Sequence, residues 1–450
     1  MPFCEALPLH RVHLQGENAG VKRGFAGSFS CLCKIYRAEL TICRKECFWL
    51  ENNMKTQELF NYIDELYPRY VEFWKSICTI ETPTSDKARV DELGSFLKRS
   101  AEELDFKICE HVEIQSGNAL CFTMNPDAQG TPVCFSAHMD TVHPVGSFGK
   151  IPVHTDDTYI YGPGVADCKG GIAAGFLAMH ALKACGFTQR PIKLILQSDE
   201  EVGSAQSERR TIAFMQEMAR SSAAFLNLET HAVIKTNCAD DASSAEPAVI
   251  VRKGIIRYRF HVYGISVHSA RCQDGANAVA AAAYKILELE KMKSGQALTC
   301  CCSMVEGGSA ANVVPDHCTF TADIRFADAA QMREAKLRVA QIAAENHIPG
   351  SSCKTELLSY RCAMEYEKRN EKLLEKMNAI YRSNGMPILE AAQSCGGSDG
   401  SDISAAGIAT IDSIGVSGDM IHSLGERAEL HSLAACAKRI AVVAMELPLS

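Results

Sequence analysis

Histidine and acidic residues follow directly after apolar, strand-like segments at several points of the sequence. In the segment 133–142, His138 and Asp140 close an apolar run and lie two residues apart. Residues two apart on a strand point to the same side, so the two side chains share one face. A metal-binding histidine commonly needs a carboxylate to fix its orientation, and Asp140 is placed for that task. A core histidine beside a capping aspartate would give the same pattern, so this segment alone leaves the choice open.

Two further segments bring carboxylates to similar positions. Asp167 lies in a glycine-rich turn just before a helix, either as a helix cap or as a carboxylate held rigidly enough to bridge two metal ions. Glu200 and Glu201 follow Asp199 at the end of an apolar strand. Three adjacent carboxylates are costly there unless they are solvated or neutralised. A surface acidic loop would solvate them, whereas in a metal site one glutamate binds the ion and its neighbour acts as a base.

Two single residues complete the set of candidates. Glu229 follows another apolar strand, and His422 lies far downstream in the segment Gly-Asp-Met-Ile-His-Ser. Each of them is a weak signal alone. Taken with the segments above, however, they give a chain order of histidine, aspartate, paired glutamates, glutamate and a distant histidine. Five potential ligands are more than one zinc ion needs, so the pattern predicts two divalent ions.

The elements that would position these residues indicate an α/β fold. From about residue 130, apolar strands alternate with helical segments. Such alternation is typical of a mostly parallel sheet with helices on both faces, in which ligands bind at the carboxyl ends of the strands. Strands are expected over 133–139, 192–197, 223–228 and 408–416, and helices over 170–185, 370–383 and 432–445.

A region with a different residue pattern interrupts this alternation. A polar stretch around 235–250 is typical of a linker, and strand-rich and helical segments then continue to about residue 360. We therefore predict a domain over 54–247 and 361–450 that is split by a smaller α+β domain over 248–360.

The first 53 residues differ from the rest of the chain. They contain five cysteines and no clear periodicity, whereas an amphipathic helical pattern begins at Met54. We predict that 1–53 is an uncharacterised leader or an extension before the true start, and that a chain starting at Met54 folds and works. A zinc knuckle is the alternative, with unusual spacing, and its ligands would be Cys31, Cys33, Cys43 and Cys47.

The composition excludes several classes of partner. The 450 residues carry a net charge of -8, which argues against nucleic acid and anionic membrane as partners. No apolar run is long enough to span a bilayer, and the N-terminus has no basic segment followed by an apolar block, so we expect no secretory signal. The 21 cysteines are scattered and often lie in apolar runs, which is typical of free thiols in a reducing compartment. We therefore expect a cytoplasmic protein.

In the order and setting of these residues, the sequence resembles the family of zinc-dependent exopeptidases and deacylases that includes glutamate carboxypeptidase, aminoacylase, acetylornithine deacetylase and succinyl-diaminopimelate desuccinylase. The resemblance runs from about residue 54 to the C-terminus. It includes the inserted domain, where 264–270 looks like the family's lid histidine segment. Residues 307–315 and 322–325 look like its substrate-gripping segments.

The resemblance implies a metal-dependent catalytic domain interrupted by a lid and dimerisation domain over 248–360. It also implies two Zn²⁺ per chain, with Co²⁺ or Mn²⁺ as alternatives. One zinc would be bound by His138 and Glu229, and the other by Glu201 and His422. Asp167 would bridge the two ions.

The resemblance assigns further roles to residues outside the ligand set. Asp140 would orient the first histidine ligand, and Glu200 would be the general base. In a homodimer, His268 would reach into the other subunit's site and stabilise the oxyanion. The substrate would be held by Asn312 and Arg325.

The substrate follows from two of these positions. A glutamate at Glu229 looks more like the family's carboxypeptidases and acylases than its aminopeptidases, and Arg325 would form a fork for a carboxylate. We therefore predict cleavage of an amide or peptide bond next to a free carboxylate in a small peptide, as in a glutamate carboxypeptidase. An N-acyl amino acid deacylase or a dipeptidase is the alternative. Cys168 departs from the family, which has Asp or Met there, and His143 has no assigned role.

Two other classes of function compete with this prediction. Residues 396–400 match the nucleophile elbow of serine hydrolases, with Ser398 as the nucleophile. Asp412 or Asp419 and then His422 follow in the order of a triad. However, His422 comes only 24 residues after Ser398, which leaves little room for the elements that normally separate a triad. The other alternative is a non-catalytic binding relative, although every expected ligand and the base are present.

Overall fold

The structure is a computed structural model that describes residues 54–231, 246–293 and 298–449. The predicted leader over 1–53, with its alternative zinc knuckle, lies outside the described residues. So does most of the predicted linker around 235–250. Among the residues that are described, no helix is long and apolar enough to cross a membrane.

Helices and strands alternate along most of the described chain. The α-helices are, in chain order, α1 (54–79), α2 (Lys87–Glu103), α3 (Lys169–Ala184), α4 (Arg210–Met218), α5 (Ala278–Glu290), α6 (Ala329–Ala344), α7 (Lys368–Ser383), α8 (Asp399–Ala405) and α9 (Ser432–Glu446). The strands are, in chain order, β1 (Lys107–His111), β2 (Ala119–Met124), β3 (Val133–His138), β4 (His154–Thr155), β5 (Tyr159–Tyr161), β6 (Ile192–Gln197), β7 (Ala224–Asn227), β8 (Glu246–Arg252), β9 (Gly254–Tyr263), β10 (Thr299–Gly307), β11 (His317–Phe326), β12 (Ser352–Arg361), β13 (Leu389–Ser394), β14 (Thr410–Ile411), β15 (Gly418–Asp419) and β16 (Arg427–Glu429).

The central sheet has six strands in the order β1-β2-β6-β3-β7-β14. Strands β6, β3, β7 and β14 run parallel to one another, and β1 and β2 form an antiparallel edge beside β6. Alternate residues of one strand enter different cores, as Leu194 and Leu196 join the core that contains α3 and α9 while Ile195 packs in the core beside α4. Helices therefore cover both faces. The predicted α/β fold class is confirmed.

A smaller antiparallel sheet has the strand order β10-β11-β9-β12. Its apolar side chains form a separate core with α5 and α6, in which the rings of Phe260 and Phe320 stack at 4.6 Å between centroids. The alternate side chains of the same strands are polar, as Arg257 and Arg259 are on β9. This is the pattern of a sheet with one buried and one open face.

The predicted elements are found with small shifts in their ends. The strand over 192–197 has the predicted bounds, and the predicted strand over 408–416 is reduced to β14 because the chain turns at Ser413, which has a positive φ of 56°. Strand β8 pairs with β13 and packs in the central core, so the smaller sheet itself begins at Gly254. The domain bounds given above stay a prediction.

Candidate metal centre

The carboxyl ends of three parallel strands bring most of the candidate residues to one edge. Strand β3 lies between β6 and β7, and all three point the same way. His138 is the last residue of β3, the Glu200–Val202 turn follows β6, and Glu229 follows β7. Parallel strands end at the same edge of a sheet, so these three segments meet there.

The remaining two candidates are joined by a second small sheet. Strand β16 pairs with β15, which precedes His422, and also with β5, which precedes the glycine-rich turn of Asp167. Helix α3 begins directly after that turn and packs closely against the end of β7. A side chain on Gly171, in the first turn of α3, would lie 2.4 Å from the carbonyl oxygen of Leu228. The sequence has glycine where this close approach leaves no room for a side chain.

The five predicted ligands converge around the carboxylate of Asp167. Its Oδ1 lies 3.0 Å from Nε2 of His138, and its Oδ2 lies 3.1 Å from Nε2 of His422. Glu229 Oε1 is 3.8 Å from the same nitrogen of His138, and Glu201 Oε2 is 3.3 Å from the same nitrogen of His422. The structure thus brings together the residues that the sequence predicted as ligands, in two groups with Asp167 between them.

Asp140 is fully buried and orders two parts of this cluster. Its carboxylate accepts hydrogen bonds from the backbone amides of Glu200, at 3.2 Å, and Glu201, at 3.1 Å, and from the Thr84 hydroxyl at 2.8 Å. The Nδ1 atom of His138 lies 3.0 Å from the Asp140 carbonyl oxygen and 3.4 Å from its Oδ1. One aspartate therefore orients the histidine and fixes the backbone of the acidic pair.

Glu200 is held by an arginine that the sequence interpretation missed. Arg361 Nη2 lies 2.9 Å from Glu200 Oε1 and donates to the Glu200 carbonyl oxygen at 2.8 Å. The guanidinium is buried and also contacts the carboxylates of Asp399 and Asp402 on α8. Arg361 comes from the last strand of the smaller sheet, so nothing in the local sequence links it to this acidic pair.

The proton affinities of the cluster are strongly shifted. Burial raises the pKa of Glu200 to about 7 and that of Glu201 to about 7, and it raises the pKa of Glu229 well above its usual range. Burial opposes the charged form of His138, but nearby carboxylates, led by Glu229, raise its pKa well above its usual value. Hydrogen bonds to Asp167 and Glu201 raise the pKa of His422 to about 10.

These donors fit divalent metal ions. Ligand atoms of His138, Asp167 and Glu201 lie within 4.8 Å of one another. The same spacing joins His138, Cys168 and Glu229. Imidazole nitrogens and carboxylate oxygens are common zinc ligands. A cation would also replace the protons that so many buried carboxylates and imidazoles otherwise retain.

Comparison with known sequences agrees with this geometry. The sequence profile described as Peptidase family M20/M25/M40 matches residues 134–446. The chain belongs to this peptidase family. It is therefore a hydrolase of the metallopeptidase class, as predicted from the sequence.

Individual relatives are distant. Carboxypeptidase G2 of Pseudomonas sp. (strain RS-16) is 25% identical over 391 residues, which cover 86% of this chain and 90% of the relative. A putative succinyl-diaminopimelate desuccinylase of Mycobacterium tuberculosis is 25% identical over 267 residues, which cover 57% of this chain and 68% of the relative. The solved structure of the Bacillus subtilis YXEP protein, a dinuclear metal binding peptidase from the M20 family, has a TM-score of 0.58 and 15% identity. It covers 85% of this chain and 99% of that chain. The last likeness shows the fold alone.

A second buried carboxylate supports the turn of Asp167 in this M20 peptidase. Glu426 accepts hydrogen bonds from the backbone amides of Gly164, Ala166 and Asp167 at 3.0–3.1 Å. Its Oε2 also lies 3.0 Å from Nε2 of His143. This contact gives a partner to His143, the residue for which the sequence indicated no role. Glu426 was missed because it follows no strand and belongs to no motif.

Cys168 is buried beside the cluster as a thiol. Its Sγ donates to the carbonyl oxygen of Leu228 at 3.1 Å, and burial raises its pKa well above the usual range. The neutral thiol therefore fills space behind Asp167 and bonds the backbone that leads to Glu229.

The three candidates predicted in the inserted domain lie in different surroundings. A cavity of about 430 Å³ is lined by Arg325 together with metal-centre residues such as Asp167 and Glu200. His268 and Asn312 are exposed and do not line this cavity. The His268 ring caps the short helix Ser269–Asp274, where its Nδ1 accepts from the Ala270 amide at 3.2 Å.

The serine hydrolase interpretation is wrong. Ser398 is fully buried and begins α8 as its cap. Its hydroxyl donates to Asp412 Oδ2 at 2.7 Å and accepts from Asn227 Nδ2 at 2.8 Å. His422 contacts Asp167 and Glu201 instead, so no triad forms around Ser398.

Proposed function

We propose that this M20 peptidase uses two zinc ions to cleave an amide or peptide bond next to a free carboxylate in small peptides, in the manner of a carboxypeptidase. One observation carries the proposal. The two oxygens of Asp167 face two histidines, His138 and His422, that are far apart in the sequence, which is the arrangement of a carboxylate that bridges two ions. The dinuclear metal binding of the YXEP peptidase supports the same count of ions.

The ligand set of each ion follows from the two groups. His138 and Glu229 would hold one ion, Glu201 and His422 the other, and Asp167 both. When bound, such ions act as Lewis acids and lower the pKa of a coordinated water toward about 7. Cobalt or manganese would suit the same ligands, because nitrogen and oxygen donors do not select strongly among these metals.

Glu200 is proposed as the general base. Its carboxylate lines the cavity beside the ligand residues, and Arg361 fixes one of its oxygens. A buried glutamate with a pKa near 7 can accept a proton from the attacking water at Oε and later deliver it to the leaving amine. Asp140 would hold both Glu200 and His138 in fixed positions relative to each other.

Substrate binding is assigned to the smaller sheet. Arg325 lines the cavity and would pair with the substrate carboxylate, with Asn312 as a further contact. Because His268 and Asn312 do not line the cavity of their own chain, we propose that they serve the site of a second chain in a homodimer, where His268 stabilises the oxyanion. A cytoplasmic location remains our prediction for this enzyme.

The substrate side of the proposal draws on carboxypeptidase G2, which matches over most of its length. An N-acyl amino acid deacylase is the second candidate, since the chain also matches a putative succinyl-diaminopimelate desuccinylase. A dipeptidase would use the same centre. All three hydrolyse an amide and differ in the groups that flank it.

The test combines metal content with a substrate panel. The purified protein is loaded with zinc, analysed for metal, and assayed on N-acyl amino acids, dipeptides, peptides with C-terminal acidic residues and the same peptides with an amidated C-terminus. We expect two ions per chain and activity that a chelator removes and zinc restores. Full activity at one ion per chain under zinc excess would overturn the two-metal scheme. Cleavage only of peptides with a blocked C-terminal carboxylate would overturn the carboxypeptidase proposal.

A further inference from the structure

Arginines supply most of the positive charge around the cavity. The cavity is lined by Arg252, Arg257, Arg325 and Arg361. A guanidinium that already has its own carboxylate partners contributes little to binding an anion. The partners of each arginine therefore decide which of the four are available to a substrate.

Two of the four are neutralised within the protein. Arg252 makes a two-point contact with Asp412, with Nε at 2.9 Å from Oδ2 and Nη2 at 3.2 Å from Oδ1. Arg361 contacts three carboxylates, which include that of Glu200. Both guanidiniums are almost completely buried, so neither is free to bind a substrate carboxylate.

The other two arginines share one carboxylate. Arg257 on β9 faces Asp323 on the neighbouring strand β11, and its Nε lies 2.8 Å from Oδ2. Arg325 lies two residues further along β11, and its Nε lies 3.0 Å from Oδ1 of the same aspartate. Two positive charges thus meet one negative charge at the cavity wall, which leaves a net positive charge there.

The free ends of these two side chains suit a second carboxylate. Arg257 has no partner for its Nη1 and Nη2 atoms among the described residues, and Arg325 uses only Nη1, which donates to the Cys395 carbonyl oxygen. Asp323 holds each guanidinium by its Nε edge. Both Nη groups of Arg257, which can bind a carboxylate in a fork, and the Nη2 group of Arg325 therefore remain available.

We propose that Arg257 is a specificity residue that binds the acidic side chain of the substrate's C-terminal residue, while Arg325 binds its terminal carboxylate. The inference rests on the proposed carboxypeptidase function and narrows it to peptides that end in Glu or Asp. Asp323 is then the positioning residue that sets the two guanidiniums side by side. A neutral C-terminal residue would leave the Arg257 guanidinium without a carboxylate partner in the substrate.

The chain offers a matched control for this role. Arg259 lies two residues after Arg257 on the same strand, and its side chain has the same exposed fraction, 41%. It pairs with Glu356 across the neighbouring strand, but it does not line the cavity. Replacing Arg259 therefore removes an equivalent charge from the same sheet without touching the proposed site.

The experiment compares Arg257→Gln, Arg257→Lys, Arg325→Gln and Arg259→Gln with the wild-type holoenzyme. Each is assayed on one N-acyl dipeptide series that ends in Glu, Asp, Gln or Ala. We expect Arg257→Gln to lower kcat/KM for the Glu and Asp substrates by about 10- to 100-fold, the range for a hydrogen bond to a charged group, and to leave the Gln substrate nearly unchanged. Arg257→Lys should recover part of the loss, and Arg325→Gln should weaken all four substrates.

A binding measurement separates this inference from the proposed function. Calorimetry on the zinc-loaded wild type compares N-acetylglutamate with N-acetylglutamine, and the preference for the former should vanish in Arg257→Gln and survive in Arg259→Gln. If no member of the series is cleaved, the proposed function fails, but the binding preference still decides the role of Arg257. Equal binding of both compounds by the wild type, or an equal loss for acidic and neutral substrates in Arg257→Gln, would overturn the inference.

Discussion

The metal centre and the smaller sheet contribute to the site in different ways. At the metal centre, His138, Asp140 and Asp167 are almost completely buried and are held by hydrogen bonds within one chain. In loops outside the strands of the smaller sheet, His268 and Asn312 are exposed and do not line the cavity of their own chain. A single folded chain therefore assembles the proposed ligands and the proposed base. The smaller sheet adds Arg257 and Arg325 to the cavity wall, whereas His268 does not line that cavity.

The largest effect is expected from the base within the metal centre. Glu200→Gln should lower turnover by about 100-fold or more, the usual scale for a general base, because the amide cannot take up the proton. Metal content and fold should stay unchanged, since Glu200 would not be a ligand. Turnover and metal analysis on the same sample measure both.

Glu201→Gln is the matched control for that substitution. Because Glu201 is a proposed ligand, the Glu201→Gln variant should bind metal more weakly. Its activity should return partly at high zinc concentration. If Glu200→Gln lost metal while Glu201→Gln stayed loaded and inactive, the two roles would be reversed.

The next effect tests whether His268 acts on a second chain. His268→Ala should lower turnover by about 100-fold, the scale for loss of one oxyanion contact. Mixing it with Glu200→Gln under subunit exchange makes half of the dimers mixed, and each mixed dimer has one intact site. About one quarter of wild-type activity should therefore return. Demonstrated exchange without recovery would show that His268 does not act on the partner chain.

A smaller effect is expected from the carboxylate that supports the Asp167 turn. Glu426→Gln keeps the size of the side chain but weakens three hydrogen bonds from backbone amides. Metal affinity should fall by about 10-fold, as is common when a residue that orients a ligand is replaced. Competition with a chromogenic chelator measures this. Unchanged affinity would mean that the turn holds Asp167 without Glu426.

Metal affinity should also depend on pH in a direction fixed by the ligands. The metal-free site retains protons on Glu201 up to about pH 7 and on His422 up to about pH 10, because both pKa values are raised. Bound ions must displace these protons, so affinity falls as the pH falls. We expect a gain of about 10-fold per pH unit for each proton displaced; both groups contribute below about pH 7, and of the two only His422 contributes between pH 7 and 8. A flat profile would contradict proton-coupled binding.

The smallest effect on activity is expected at Ser398. Ser398→Ala should leave kcat unchanged in the folded enzyme, because the hydroxyl caps α8 and bonds Asp412 and Asn227. The free energy of unfolding should fall by about 1–3 kcal/mol, since buried partners lose their hydrogen bonds. Denaturant unfolding measures the loss. A loss of turnover without a loss of stability would reopen the question of a nucleophilic role.

The sequence predicted the site where the signal was local. Strand ends followed by His138, Glu201 or Glu229 are visible in a few consecutive residues, and parallel packing then brings them together. Arg361 and Glu426 escaped because their partners lie far away along the chain and no local pattern marks them. The length of strand β14 was overestimated because apolar residues continue past the turn at Ser413.

The order of the ligands along the chain also has a consequence for synthesis. In the sequence, His422 and Glu426 follow the four strands of the smaller sheet and the two helices that pack on it. They are therefore synthesised after these elements. A ribosome that has produced residues up to Glu229 has therefore made four of the five proposed ligands but neither the fifth nor the support of the Asp167 turn. If the proposed ligands are right, the full two-ion site therefore has to wait until residue 426 has been synthesised.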